Sequence, residues 1–259
     1  MPSMVISMES EKSNELARIS AFIYGVVCYV IFFSTFLYTV GFVGNLIVPR
    51  SIDSAANTTL TNALVINFSL LGIFGLQHSL MARQWFKNWW TQIVPKPVER
   101  STYVLFSSLC LIALFYFWQP MGIEVWNVEN SWFRIVLYSL FAFGWLLVLV
   151  STFSINHFDL FGLRQVYLYL IGREYTQLQF KVPNLYKLVR HPLYVGWFLA
   201  FWATPTMTLA HLVFALGTTA YIVVAIQFEE RDLLEAYGQA YADYRERVPM
   251  LIPFKRDRP

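Results

Sequence analysis

Residues 193–228 read LYVGWFLAFWATPTMTLAHLVFALGTTAYIVVAIQF, and how this apolar stretch is divided decides the fold. A bilayer core about 30 Å thick takes roughly 20 residues of helix. The stretch is too long for one straight span and short for two. Pro205, near its middle, has no N–H to give a helix interior, and its ring crowds the preceding turn. The reading that follows is a hairpin of two short spans, about 193–204 and 208–228.

Working outward, four more runs are long enough to cross, at about 19–43, 60–82, 101–118 and 132–155. With the hairpin they make six. Lys and Arg gather on the cytoplasmic side of short loops, and six spans put every one of the 19 cations there except Arg50 and Arg134. Five spans would strand the cations of the C-terminal tail on the wrong face, although a hairpin that does not fully cross gives the same sidedness as six. The expected fold is an all-α polytopic membrane bundle of about six helices, the last two a short hairpin. Both termini are cytoplasmic, in what reads as a bacterial inner membrane.

Composition agrees. Hydrophobic residues make up 57% of the chain, aromatic ones 18% and charged ones 14%, against about 25% charged in soluble domains. The net charge of +3 comes with no basic run long or aromatic-interleaved enough for nucleic acid. Cys28 and Cys110 lie inside apolar runs, with no CxxC and no His/Cys cluster, so neither a disulfide framework nor a metal site is expected. The polar start MPSMVISMESEKSNELAR leads into an apolar run with no cleavage site behind it, which reads as a retained first span. No repeat or second soluble domain interrupts a single domain over 1–259.

The tail, FEERDLLEAYGQAYADYRERVPMLIPF, sets Tyr237, Tyr241, Tyr244 and Val248 at three- and four-residue steps, one face of an amphipathic helix weakened at Gly238. Its close, VPMLIPF, bracketed by Pro249 and Pro253, reads as a segment folding back on the membrane or the domain.

Polar groupings converge on the same side. In RHPLYVG (190–196), Pro192 suits the first helical position, leaving Arg190 and His191 beside free N–H groups and the positive helix end, a place for a carboxylate or phosphate. Gly196, one turn in, lets a ligand or another helix approach. The same residues would serve as interfacial anchors and a packing contact. Glu229 and Glu230 close the last span near the negative helix end, so ribose hydroxyls or Arg190 must repay them. In STFSINHFDLFGLRQ (151–165), Asn156, His157 and Asp159 sit among Phe153, Phe158 and Phe161, a small apolar pocket with a base that a carboxylate can orient. His78, in LQHSLMAR, is a second intramembrane base, with helix–helix hydrogen bonding as the alternative role.

RHPLYVGW, a hairpin, EE and then GQAYADYRERVPMLIPF resemble the C-terminal signature of the isoprenylcysteine carboxyl methyltransferase and phospholipid methyltransferase superfamily across residues 187–253. INHFDLFGLRQ and LQHSLMAR resemble its branch that includes methanethiol S-methyltransferases and the NnrU proteins. The resemblance implies S-adenosylmethionine as methyl donor. By carry-over, Tyr186, Arg190, His191, Pro192, Leu193, Tyr194 and Gly196 line the donor pocket, with Glu229 and Glu230 on the ribose or amino end. Sulfonium stabilisation by aromatic faces agrees. The reaction implied is S-methylation of a small thiol, methanethiol to dimethyl sulfide. The proton acceptor is then His157 oriented by Asp159, with His78 as second candidate. Readings left beside it are methylation of an isoprenylcysteine or lipid headgroup, a sterol-reductase-like enzyme using NADPH, and a non-catalytic NnrU-like protein.

Overall fold

The computed structural model describes residues 2–253, with side chains from Asn14 onward. The side chains of Lys12, Phe254, Lys255, Arg256 and Arg258, which entered the charge and fold-back arguments, lie outside these described residues.

Ten helices follow in order: α1 (Pro2–Gly44), α2 (Leu60–Ala82), α3 (Gln84–Trp90), α4 (Lys96–Phe117), α5 (Ser131–Ile155), α6 (His157–Leu160), α7 (Leu163–Leu170), α8 (Pro192–Trp202), α9 (Leu209–Tyr237) and α10 (Gln239–Arg247). Two short strands, β1 (Glu124–Asn127) and β2 (Thr206–Thr208), complete the set. Asn14–Gly44 of α1, together with α2, α4, α5 and α9, are long and apolar enough to cross a membrane. The protein is a polytopic membrane bundle, as its hydropathy implies.

The hairpin is lopsided. Its first arm, α8, has 11 residues and rises only about 16 Å at 1.5 Å per residue, roughly half a bilayer core. Three residues ahead of Pro205 the helix has already ended, and the chain runs extended into β2. Backbone groups freed there find partners in β1, antiparallel to β2 with Trp126 opposite Met207. Among the described residues this ribbon is the only β structure. The second arm, α9, continues to Tyr237 and is capped at its start by Thr208, which accepts from the His211 N–H at 3.1 Å. His211 is buried and donates from Nε2 to the Phe201 carbonyl at 2.9 Å, pinning the two arms together at the turn end.

α5 and α8 make the closest helix pair, and glycine is the reason. A Cβ on Gly196 would stand 2.8 Å from the Gly144 carbonyl oxygen, and one on Gly144 would stand 2.6 Å from the Ala200 nitrogen. Backbones meet directly, the device by which apolar helices associate in lipid. Around this seam Trp145, Trp197, Phe201 and Phe36 pack edge to face. At the other end of α5, α6 and α7 are tied to α4, where Arg100 Nε donates to the Leu160 carbonyl at 2.8 Å. Gly162 there adopts φ +88° and leaves no room for a Cβ against Ser101.

Candidate active site

The entrance of α8 is held by the returning tail. The N–H groups of Arg190 and His191 donate to the carbonyls of Pro249 (2.9 Å) and Met250 (3.1 Å), so the VPMLIP segment folds back onto this entrance. Arg190 Nε donates to Glu230 Oε1 at 2.7 Å, and its Nη1 donates to the carbonyls of Arg245 (3.0 Å) and Val248 (2.6 Å). His191 Nε2 donates to the same Oε1 at 3.1 Å. All three side chains are buried.

Adjacent helical residues point about 100° apart, which separates the two glutamates. Glu230 faces inward and is consumed by Arg190 and His191. Glu229 keeps 44% of its side chain exposed and accepts the Tyr194 hydroxyl at 2.8 Å. The expected anion at the α8 entrance is therefore the protein's own Glu230. Arg245, 3.6 Å from Glu230 Oε2, retains 49% exposure. Tyr186 gives its carbonyl to the Tyr244 hydroxyl at 2.6 Å. Burial pushes the Tyr244 hydroxyl up to about 12 and raises that of Tyr186 as well, so both remain protonated at neutral pH. Pro192 is buried at the first position of α8, and Leu193 is half-buried beside it.

Two expectations change. Gly196 faces α5, so of its two possible uses it serves the approach of a helix. The tail face of Tyr237, Tyr241 and Tyr244 is not one helix. Gly238, at φ +53°, ends α9 and starts α10, and the three rings close on Phe180 from either side of that break.

His157 is buried at the start of α6, its ring stacked on Phe153 at 4.1 Å, with Phe158 and Phe161 edge-on at 5.5 and 4.8 Å. Burial lowers its pKa, so it is neutral at pH 7. Its expected pairing with Asp159 does not form. Asp159 turns to Arg164 (2.9 Å) and to the Tyr175 hydroxyl (3.3 Å), because the tight α6 turn points the two side chains apart. The imidazole is held instead by Thr152 Oγ1 at Nδ1 and Tyr29 Oη at Nε2, each at 2.9 Å. Gly144 and Val148 of α5 meet Ala200 and Gly196 of α8. One turn further along this antiparallel register, Thr152 comes level with Pro192.

His78 sits across the bundle, its ring against Tyr103 (5.1 Å) and Tyr221 (6.3 Å). The Tyr103 hydroxyl lies 2.9 Å from Nε2, and Ser107 Oγ lies 3.2 Å from Nδ1. Tyr221 belongs to α9, so His78 packs against the same helix that carries Glu229 and Glu230. Phe161, 4.8 Å from the His157 ring, packs against the cluster that holds Tyr103, so a layer of side chains separates the two histidines.

The chain is 61% identical to methanethiol S-methyltransferase of Crocosphaera subtropica over 239 residues, 92% of this chain and 94% of that protein. It is 52% identical to methanethiol S-methyltransferase of Mycobacterium tuberculosis, over 92% and 98% of the two chains. The chain belongs to the methanethiol S-methyltransferase family. Nurim of Xenopus laevis is a more distant relative, 29% identical over 70% of this chain and 66% of its own. No family model matches the chain. No solved structure matches it. Within the family frame, Tyr29, Thr152, Tyr103, Ser107, Tyr221 and Arg245 were missed from sequence. Most are hydroxyls in runs read mainly for hydropathy, Arg245 was counted only as a tail charge, and Tyr29 reaches His157 across 128 residues.

Proposed function

We propose that the chain transfers the methyl group of S-adenosylmethionine to methanethiol, giving dimethyl sulfide, at the cytoplasmic face of a bacterial inner membrane. The observation that carries this reading is the wall built by α8 and α9, with Arg190 and His191 locked on Glu230 and Tyr194 locked on Glu229. It stands in a chain whose relatives carry the name methanethiol S-methyltransferase.

The residues present fit the donor. Glu229 is the carboxylate left open, with one oxygen fixed by Tyr194, and suits ribose hydroxyls. Arg190 is spent within the wall, so the cation for the donor's carboxylate is Arg245, which keeps half its surface free. Tyr186 and Tyr194 offer aromatic faces to a sulfonium. When bound, the donor supplies an electrophilic methyl group. The chain's work is to place sulfur in line with it, which supplies several kcal/mol of the barrier, and to convert thiol to the nucleophilic thiolate.

His157 is the proton acceptor in this reading. Its neutral form at pH 7, its apolar frame and the position of Thr152 level with the α8 entrance support it. Asp159 holds Arg164 and the α6 turn. His78 is the alternative acceptor, supported by its packing against Tyr221 of α9. The test is purified protein in detergent with S-adenosylmethionine and methanethiol, read as headspace dimethyl sulfide. Donor binding without dimethyl sulfide would sink the thiol assignment, and binding of NADPH in place of the donor would sink the methyltransferase. His157→Ala should abolish turnover with donor affinity retained, whereas the same result from His78→Ala alone would transfer the role to His78.

A further inference from the structure

We infer that Tyr29 is the residue that meets the thiol, and that Tyr29, His157 and Thr152 form one proton path. This rests on the thiol-methylation reading above. The hydrogen bonds fix each proton along it. Thr152 Oγ1 lies 2.7 Å from the Leu149 carbonyl, which can only accept, so the hydroxyl proton is committed there. The Thr152 oxygen, 2.9 Å from His157 Nδ1, must then accept, and Nδ1 carries the imidazole hydrogen. Nε2 is left with its lone pair and receives the Tyr29 O–H at 2.9 Å. Among the described residues the Tyr29 oxygen makes no second hydrogen bond, and its side chain is half-buried where the imidazole itself is sealed.

The surroundings suit a small neutral thiol. Tyr29 stacks on Phe33 (6.2 Å) and packs against Phe32 (6.0 Å), and Phe32 stacks on Phe161 at 3.9 Å. Sulfur makes favourable contacts with ring edges, and methanethiol needs little more than such a frame. The charged groups nearest this cluster are engaged elsewhere. Asp159 on α6 is bound by Arg164 of α7, and Arg100 of α4 donates to Leu160. A carboxylate is thus not available to His157, and hydroxyls take over its orientation.

The step balances. The thiol S–H bond breaks as its proton passes to the Tyr29 oxygen, and the original Tyr29 proton passes to His157 Nε2. The sulfur lone pair forms the new C–S bond with the methyl carbon. The donor's S–CH3 bond breaks, with its electron pair going to the leaving sulfur, and the sulfonium charge is cancelled. One proton remains on His157 and is returned to water after product leaves. Tyr29 is catalytic here, and Thr152 is a positioning residue.

The experiment is steady-state kinetics of the purified full chain with S-adenosylmethionine and methanethiol from about pH 7 to about pH 10, alongside donor binding. General-base contributions run to about 100-fold or more. Tyr29→Phe keeps the ring stack and should lose about 100-fold in kcat near neutral pH, with donor affinity unchanged. That deficit should shrink as pH approaches the thiol's own pKa, where thiolate forms without help. Thr152→Val should show the same pattern, and Thr152→Ser should restore wild-type behaviour. A Tyr29→Phe enzyme with wild-type kcat, or with a deficit equal at every pH, overturns the proton path. Should Tyr29→Phe fail to accumulate, equal rates in the Val and Ser variants at Thr152 overturn it. Wild-type protein inactive on every thiol sinks the underlying reading instead, which separates the two failures.

Discussion

Consecutive glutamates with opposite duties make the wall legible at the level of single residues. Glu230 and Arg190 form a buried pair at 2.7 Å, and removing one partner of such a pair costs about 3–5 kcal/mol because the other charge is left uncompensated. Arg190→Ala should therefore lower the unfolding temperature in detergent sharply, and with it the yield of folded protein. Glu229→Gln should leave that temperature almost unchanged. It should weaken donor binding about tenfold or more, since a hydrogen bond to a charged group is worth about 1.5–3 kcal/mol, as titration calorimetry would show. His157 adds a pH dependence of known sign. Burial lowers its folded pKa below the unfolded value of about 6.5, so above that pH it makes no difference to stability. As pH falls through about 6.5 the unfolded chain takes up the proton first, and stability is lost until the folded imidazole titrates too. His157→Gln should flatten that part of a stability–pH curve. The motif residues were visible in sequence because their types and spacing are unusual at a membrane edge. Their partners were not, since a hydroxyl such as Thr152 looks the same in an apolar run whether it binds an imidazole or only its own Leu149 carbonyl, and it does both.

Between elements, the decisive contact is the glycine seam of α5 and α8. Gly196→Val would force a side chain into the space of Val148 and the Gly144 carbonyl, both 2.8 Å from where its Cβ must go. Overpacking of this kind costs about 1–3 kcal/mol and would push the α8–α9 wall, the proposed donor site, away from Thr152. The expected outcome is loss of turnover well beyond the loss of folded protein, measured as specific activity of the monodisperse fraction. Gly196 was read from sequence as open to either a ligand or a helix, and only the position of Gly144 resolves it. The hairpin was legible as a break at Pro205 but not as unequal arms. Hydropathy reports how apolar Ala203–Thr208 is, and says nothing of the strand partner, Glu124–Asn127, that lets it leave the helix.

The whole molecule follows its charge and hydropathy. α2 at 60–82 and α5 at 131–155 fell close to their expected limits, whereas α1 begins well before 19 and α9 runs past 228 to Tyr237. Such spans are written in composition, because lipid requires about 20 apolar residues in each. Sidedness is testable on the intact protein. With Cys28 and Cys110 replaced, a single cysteine at Glu124 should react with a membrane-impermeant maleimide in whole cells, and one at Arg173 only after permeabilisation. The reverse pattern would turn the molecule over and remove the cytoplasmic donor route. The wall and the two histidines come from every long helix, α1 supplying Tyr29, α2 His78, α4 Tyr103, α5 Thr152 and α9 Glu229. No fragment of the bundle carries the site by itself.

The backbone contact at Gly144 and Gly196 also bears on how far α8 can move toward α5. A gap set by side chains can be enlarged by trimming one of them, whereas a gap set by two main chains in contact is already at its minimum. The spacing of α5 and α8 is thereby gauged in peptide units, and no substitution at 144 or 196 can bring the two helices closer. Substitutions there can only add atoms and part the helices, so stability should fall at either position in step with the volume added, with alanine the mildest change.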